Sequence, residues 1–170
     1  MKKLLFIISL VMSTGMITKI HAQVKTPEAP KLEFVMQLNV NLGQTFTLGK
    51  TSQGTRTVIP ITGGTFDGPY MKGKILSGGA DYQMADEAGY THLEAIYCIQ
   101  TDDGTYIHVR NTGIISLAPD EHGNVQYYFK AAPKFEAPND GKYGWLNRAI
   151  FVCQPGEGTG GITLNVWKVE

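Results

Sequence analysis

The fold of this chain is decided by the segment Leu32-Glu33-Phe34-Val35-Met36-Gln37-Leu38-Asn39-Val40-Asn41. Every even-numbered residue in it is apolar, and the odd-numbered residues are polar except for one valine. A period of two over ten residues is typical of a β-strand with one buried face and one face in water. The segment therefore predicts a half-buried strand, preceded by a proline-containing lead-in over residues 23–31.

Further short segments downstream have the β-branched and aromatic composition of strands. The predicted strands are 44–48 (a continuation of the first), 56–61, 70–76, 80–85, 91–101, 105–117, 124–135, 148–154 and 162–169. A helical turn is expected only within residues 143–148. Because no stretch of about 10 to 15 residues has the apolar spacing of a helix, a parallel α/β sheet is excluded. Many short antiparallel strands in one domain indicate a barrel or a sandwich.

Glycines at strand bends favour the barrel. Gly63-Gly64 interrupts a β-branched run, and paired glycines in a strand mark a bulge where another group approaches the backbone. Closing a small sheet requires such bends, and closure removes exposed edges. We therefore predict an all-β fold, a single antiparallel barrel of about eight to nine strands with room for side chains or one small ligand. Asp103-Gly104 is the strongest hairpin signal, and it predicts a two-residue type I′ turn.

The first 22 residues have the features of a signal peptide. Lys2 and Lys3 precede an apolar run over residues 4–12, and Ala22 provides the small residue that cleavage requires. The alternative is a membrane anchor, which needs about 20 continuous apolar residues, more than this run contains. No cysteine directly follows the run, so a lipoprotein is excluded. We expect a periplasmic or extracellular protein, without stable membrane insertion after cleavage, whose barrel domain spans residues 32–170.

Size and charge exclude other classes of protein. The chain has 170 residues with 15 Lys+Arg and 15 Asp+Glu, and the leader holds three of the lysines and no acid. The remaining 148 residues therefore form one domain of net charge −3. Because phosphate binding requires clustered Lys and Arg, we expect no nucleic-acid partner. Export would place Cys98 and Cys153 in an oxidising compartment, where they either pair or remain two separate buried thiols.

Several apparent motifs do not indicate chemistry. Residues 156–161 satisfy G-x-G-x-x-G, but the segment that follows is a predicted strand, so a hairpin loop is expected instead of a dinucleotide site. The four histidines lack metal-ligand spacing, and Asp102-Asp103 lacks the oxygen pattern of a calcium loop. No nucleophile signature is present. We therefore expect no cofactor and no metal.

Several short sequence motifs along the chain resemble those of a known family. They are Gly54-Thr55-Arg56 with Pro60-Ile61-Thr62-Gly63-Gly64-Thr65-Phe66-Asp67-Gly68-Pro69, Gly78-Gly79-Ala80-Asp81-Tyr82, Thr101-Asp102-Asp103-Gly104 with Ile107 and Asn111-Thr112-Gly113, Tyr128-Phe129 with Phe135-Glu136, and Tyr143-Gly144-Trp145-Leu146-Asn147. In this order they resemble the DUF3237 family, also called UPF0311, over nearly all of residues 32–169. The resemblance implies a single antiparallel β-barrel with a small interior, and it implies no particular chemistry. In two respects the chain departs from the family: Tyr82 stands where a tryptophan is usual, and many members lack a signal peptide.

Two charged residues in these motifs are candidates for a site in the barrel. Arg56 lies among apolar residues, where its guanidinium would bind a ligand carboxylate. The alternative is an ordinary exposed or ion-paired arginine. Asp81 follows two glycines, and a carboxyl group in an apolar barrel has a raised pKa and can act as a catalytic acid or base. The alternative is a turn aspartate bonded to backbone amides.

The remaining candidates are aromatic and amide side chains. Aromatic walls with a few amides are typical of small-ligand pockets. The expected ligand-binding residues, besides Arg56, are Tyr82, Asn111, Tyr143, Trp145 and Asn147. The alternative for Tyr143, Trp145 and Asn147 is that they plug the end of the barrel. The alternative for Asn111 is that it forms a β-bulge. Tyr97 and Tyr128 are expected in the core.

Three functions are compatible with these residues. The first is a barrel that binds a small, partly apolar, anionic organic molecule between aromatic residues and Arg56. The second is a cofactor-free isomerase, lyase or cyclase with Asp81 as acid or base. The third is a structural domain with a solid core. Because β-barrels are known with all three functions, the fold alone does not distinguish them, and the contents of the barrel interior are needed.

Export is testable at the amino terminus. Because Ala22 fits the cleavage position, the secreted product is expected to begin at Gln23. N-terminal sequencing of the secreted protein checks this, and a retained Met1 would contradict it. A version that lacks residues 1–22 should have an unchanged melting temperature, since the leader precedes all predicted strands.

Overall fold

The strands of the computed structural model follow the alternating and β-branched segments closely. The structure describes residues 25–117, 119–158 and 160–170, so the predicted signal peptide lies outside the described residues. Within them the strands are β1 (Leu32–Leu42), β2 (Phe46–Thr51), β3 (Gly54–Asp67), β4 (Gly73–Ile75), β5 (Gly79–Ala85), β6 (Tyr90–Thr101), β7 (Tyr106–Ser116), β8 (Tyr128–Glu136), β9 (Phe151–Gly158) and β10 (Gly161–Val169). A 3₁₀ turn, Gly144–Arg148, connects β8 and β9. None of these described elements is a helix of the length and apolarity that crossing a bilayer requires.

The sheet closes on itself because β1 has a partner on both sides. It pairs with β10 along one edge and with β3 along the other, and the order from β10 runs through β9, β8, β7 and β6 back to β3. The short strands β4 and β5 share one position between β3 and β6. Strands β1 and β2 likewise share one position, since both pair with the same side of β3. The ten strands therefore fill eight positions of a closed barrel, and all pairings are antiparallel. The predicted fold class is confirmed.

Strand β3 is longer than the predicted strand 56–61 because it pairs with two strands on each side. Its first half pairs with β2 and β5, and its second half pairs with β1 and β4. Strand β8 starts later than the predicted residue 124. The Asp120 carboxylate accepts the backbone N–H groups of His122 and Asn124 at 2.9 Å each, which holds this stretch in a turn.

The glycine pair sits at the bend that closes the barrel. The β1–β3 register shifts between Asn41, opposite Gly63, and Leu42, opposite Ile61, so the predicted bulge is confirmed. The φ angles of Gly63 and Gly64 are +140° and +137°. A Cβ atom on Gly64 would lie 2.1 Å from the carbonyl oxygen of Asn39. Only glycine fits there, because the backbones of β1 and β3 approach each other directly.

The Asp103-Gly104 hairpin is present with a different turn from the predicted one. A type I′ turn needs positive φ at both central residues, and among the described residues only glycines have positive φ. Gly104 has φ +90° and donates its N–H to the carbonyl of Thr101 at 2.9 Å. The Asp103 carboxylate accepts hydrogen bonds from the hydroxyls of Thr101 and Thr105, which stabilises a longer loop.

The barrel interior is densely packed at the end that carries the 3₁₀ turn. Leu146 from that turn is 1% exposed, and the Phe135 and Phe151 rings meet edge to face with centroids 5.0 Å apart. Other fully buried side chains at this end are Met36, Phe66, Ile99, Ile107, Val109 and Val166. This packed end supplies the core that holds the barrel together, and the opposite end is hollow.

The two cysteines do not pair. Both are free thiols, with Cys153 buried and Cys98 partly exposed. Tyr97 and Ile99 point inward from β6, so Cys98 between them points outward, whereas Cys153 points inward from β9. A barrel wall separates their side chains, which leaves two separate thiols.

The glycine bend generates a stability prediction. Gly64→Ala is expected to lower the free energy of unfolding by about 2–4 kcal/mol, since strain from positive φ adds to a backbone clash. Gly63→Ala should cost about 1–2 kcal/mol, because its nearest neighbour is 3.6 Å away and only strain remains. Gly156→Ala, with open space around it, is the control and should cost nothing. Urea denaturation measures all three, and equal losses at 63 and 64 would contradict this account.

Candidate functional site

The hollow end of the barrel contains a cavity of about 130 Å³. Apolar protein cavities of roughly 150 Å³ hold a single benzene-sized ring, so this space suits a small molecule. Its apolar lining consists of Val40, Leu42, Ile59, Ile61, Leu93, Ala95, Ile115, Phe129, Ala131, Pro155, Ile162 and Leu164. The solid-core alternative is therefore not supported at this end.

The polar lining is confined to one side of the cavity. Its four side chains are Asp81 and Gln83 from β5, Tyr97 from β6 and Asn111 from β7. The walls from β1, β3 and β10 are entirely branched aliphatic. No Lys, Arg or His is among the described residues that line the cavity. The space therefore favours a molecule with one polar and one aliphatic side and without a negative charge.

Asp81 points into the cavity because of its register in the sheet. It lies opposite Ile59 of β3 and Ala95 of β6, and both of these side chains face the interior. Its Oδ2 accepts a hydrogen bond from Gln83 Nε2 at 2.8 Å, whereas its buried Oδ1 has no partner among the described residues. Burial raises the pKa of this carboxyl group, and hydrogen bonds from Gln83 and the Glu94 backbone oppose the rise. Asp81 thus keeps its proton to higher pH than an ordinary aspartate.

Asn111 presents a second unsatisfied oxygen in the same cavity. The residue is 6% exposed, and its Oδ1 is buried without a hydrogen-bond donor among the described residues. The Asn111 amide bonds to the Cys153 thiol, which opposes the effect of burial on the pKa of that cysteine. An unpaired buried acceptor costs about 1–3 kcal/mol. Retaining two of them in one apolar cavity is typical of a site that a ligand completes.

Two further buried side chains in this region, Tyr97 in the lining and Cys153 next to Asn111, are neutral. Burial raises the pKa of the Cys153 thiol to about 12 and raises that of the Tyr97 hydroxyl as well. Tyr97 is 4% exposed, which confirms its predicted place in the core. The same prediction is wrong for Tyr128, which is 49% exposed at the start of β8.

Arg56 and Tyr82 lie on the outer surface of the barrel, so the expectation that they line a pocket with Asp81 is corrected. Arg56 pairs with Met84, which has the opposite orientation to Gln83. Its Nη1 donates to the carbonyl oxygen of Tyr82 at 3.3 Å, and Tyr82 is 43% exposed. Neither side chain reaches the cavity, because each is one residue out of phase with the inward-facing positions.

Tyr143, Trp145 and Asn147 lie at the packed end, which favours the plug over the ligand-binding expectation. The Tyr143 hydroxyl donates to Asp103 Oδ2 at 2.7 Å, and the Trp145 ring contacts Phe151. The Asn147 amide donates to the carbonyl of Ala137 and accepts its N–H, both at 2.8 Å. These contacts close the barrel end, far along the strands from the cavity.

Gln83 and the aliphatic wall were not among the predicted site residues. A signal for Gln83 exists in the sequence, since it stands two residues after Asp81 and must share its face of the strand. The aliphatic side chains carry no such signal, because lining a cavity and filling a core require the same residue types.

Fold and cavity together define a small antiparallel β-barrel, packed at one end and hollow at the other, with a carboxyl group inside. The chain belongs to the DUF3237 family, whose model, described as a protein of unknown function, matches residues 30–169. The recognition of this family from the sequence is confirmed.

Proteins similar to this chain come from bacteria and a fungus. A UPF0311 protein of Clostridium acetobutylicum is 32% identical over 149 residues, which cover 81% of this chain and 93% of the relative. The crystal structure of a β-barrel-like protein from Acinetobacter baumannii has a TM-score of 0.75 and 32% identity, and the match covers 85% of this chain and 99% of that one. A hydroalkoxylation enzyme of Penicillium herquei is 26% identical over 144 residues, which cover 85% of this chain and 87% of the enzyme.

The raised pKa of Asp81 predicts how stability depends on pH. The folded state binds this proton more tightly than the unfolded state, whose carboxyl pKa is about 3.9, so stability is lost as pH rises through the folded-state pKa. Asp81→Asn should therefore be more stable than wild type above that pKa, and its advantage should shrink as pH falls toward 4.

Asp86→Asn is the matched control, for which the expected change in stability has the opposite sign. Backbone N–H groups of Tyr90 and Ala88 lower the pKa of Asp86, so its ionised form stabilises the folded state. This variant should be less stable than wild type at neutral pH. Urea titrations between pH 4 and pH 8 measure both variants. An Asp81→Asn protein that is less stable than wild type at pH 8 would contradict the placement of Asp81.

Proposed function

We propose that this protein is a cofactor-free enzyme that transfers a proton from Asp81 to a small neutral substrate held in the barrel cavity. The observation that carries the proposal is the Asp81 carboxyl group, which has one unpaired buried oxygen in a largely aliphatic cavity. Burial keeps this group protonated to higher pH, as a catalytic acid requires. Asn111 Oδ1 lines the same cavity as an unused acceptor.

The fungal relative suggests the reaction class. Its name describes hydroalkoxylation, the addition of a hydroxyl O–H across a carbon–carbon double bond. That reaction needs a proton donor, a group that orients the hydroxyl and an apolar wall for the alkene, and it needs no redox partner. The cavity has side chains for each of these roles. We therefore assign this chain an intramolecular addition that closes a cyclic ether.

The steps balance within the site. Asp81 Oδ1 donates its proton to the alkene carbon that faces it, and positive charge develops on the neighbouring carbon. The substrate hydroxyl, oriented by the hydrogen bond that its O–H donates to Asn111 Oδ1, attacks that carbon and forms the new C–O bond of an oxonium ion. The O–H bond of the oxonium ion then breaks, and its proton passes to the Asp81 carboxylate, directly or through water, which regenerates the catalytic acid. Holding both reacting groups in one cavity supplies the proximity that an intramolecular addition exploits.

The anionic ligand expected from the sequence is replaced by a neutral one in this proposal. Arg56, the cation meant to bind it, lies outside the cavity, and the described lining residues carry no other positive charge. A carboxylate placed beside Asp81 would also repel the ionised form of that group. A neutral hydroxyl group can donate a hydrogen bond to Asn111 Oδ1, and it needs no cation in the lining and does not repel an ionised Asp81.

A phenol with a branched alkenyl group tests the proposal. 2-(2-Methylallyl)phenol has one hydroxyl and one branched alkenyl group, and its protonation gives a tertiary cation that closes to 2,2-dimethyl-2,3-dihydrobenzofuran. In D₂O, wild-type protein is expected to form this product with one deuterium in a methyl group, as measured by mass spectrometry. Asp81→Asn should lose at least about 100-fold in kcat while the phenol still raises its Tm.

Arg56→Ala is the matched control, because it removes a charged side chain from the outer face of the same region. It should retain wild-type turnover. Turnover by Asp81→Asn at the wild-type rate would overturn the proposed role of Asp81. A phenol that raises the Tm of wild type without being converted would instead favour a binding protein over an enzyme.

A further inference from the structure

The two oxygens of the Asp81 carboxyl group have different surroundings. Oδ2 accepts a hydrogen bond from Gln83 Nε2 at 2.8 Å, and Oδ1 is buried without a partner among the described residues. Gln83 stands two residues along β5, so both side chains project from the same face of the strand into the cavity. The carboxyl group is thus asymmetric before any substrate binds.

This asymmetry determines where a proton can sit. An amide N–H pairs with a lone pair, so Gln83 favours the form of the neutral carboxyl group in which Oδ2 is the carbonyl oxygen. The proton then sits on Oδ1. When that proton leaves, negative charge spreads onto Oδ2, and the bond from Gln83 becomes charge-assisted and about twice as strong.

We infer that Gln83 is a positioning residue, which directs the acid proton of Asp81 to Oδ1 and stabilises the carboxylate that forms when the proton is transferred. The inference rests on the proposed function for its catalytic consequence. Its physical content, a carboxyl group whose Oδ2 accepts a hydrogen bond from one side-chain amide, is testable without a substrate.

Among the described residues of the strands packed against Asp81, no other charged side chain faces its carboxyl group. On β3 the facing side chain is Ile59, and on β6 the titratable side chain that lines the cavity is Tyr97, which burial keeps neutral. Glu94 forms an ion pair with Arg110, and both occupy outward-facing positions of β6 and β7. Among the described residues that line the cavity, Gln83 is the one that hydrogen-bonds the Asp81 side chain.

Gln83→Met removes the donor and keeps the length of the side chain, and Gln83→Leu serves as a second variant. Gln37→Met is the control: Gln37 is an exposed glutamine on β1 that donates a comparable bond to Asn165 at 2.8 Å. The Asp81 carboxyl ¹³C signal is titrated by NMR in each folded protein. Because the Gln83 bond opposes the rise caused by burial, the Asp81 pKa should shift upward in both Gln83 variants and stay unchanged in the control.

Turnover of 2-(2-methylallyl)phenol gives a second readout. Gln83→Met should lower the plateau kcat by about tenfold or more, the effect of losing one hydrogen bond to a charged group, with little change in KM. Its activity should also persist to higher pH than that of wild type, because the weaker acid stays protonated longer. Loss of structure alone would lower the plateau without moving this limb of the pH profile.

The outcomes separate this inference from the proposed function. An upward shift of the Asp81 pKa supports the positioning role even if neither the wild type nor any variant converts the phenol. In that case only the proposed function fails. An Asp81 pKa that is the same in folded Gln83→Met and wild type overturns the positioning role, whatever the turnover. Equal kcat in the two proteins overturns its catalytic part.

Discussion

The closure of the sheet through β1 and β3 is the constraint on which every other feature depends. Backbone contact at Gly64 allows the two strands to pair, since any side chain there would collide with the carbonyl of Asn39. Once the sheet is closed, each residue of a strand faces either the interior or solvent, and a shift by one position reverses the assignment. The presence of Asp81 inside and of Arg56 outside follows directly from this rule.

The two ends of the barrel interior have different roles: the packed end stabilises the fold, and the hollow end holds the candidate site. At the packed end, the aromatic pair Phe135–Phe151 and Leu146 of the 3₁₀ turn exclude water and supply apolar burial. At the hollow end, unpaired oxygens of Asp81 and Asn111 cost stability. A barrel can retain such a cost only where the remaining core is well packed, and a strained or unsatisfied region of this kind is where function is expected.

The amino-acid sequence predicts the fold better than the site. Alternation, turn residues and the glycine pair act locally, so the strands, the closed barrel and the bend at Gly63 follow from short stretches. Placing a side chain inside or outside requires the register of strands far apart in sequence. The apolar neighbours of Arg56 predict a place in the cavity, but those neighbours lie on both faces of β3. Asp81 and Tyr82 are adjacent in β5, and no local feature of the sequence shows that Asp81 faces the cavity and Tyr82 the outer surface.

The position of Tyr82 also bears on how this chain compares with its family. The resemblance implies a tryptophan there, and a change of that size inside a cavity of about 130 Å³ would alter the ligand. Tyr82 is, however, 43% exposed and lies opposite Val58 on the outer face. The substitution therefore changes the outer surface and leaves the lining of the cavity as it is. The shape of the space beside Asp81 depends instead on the aliphatic wall of β1, β3 and β10.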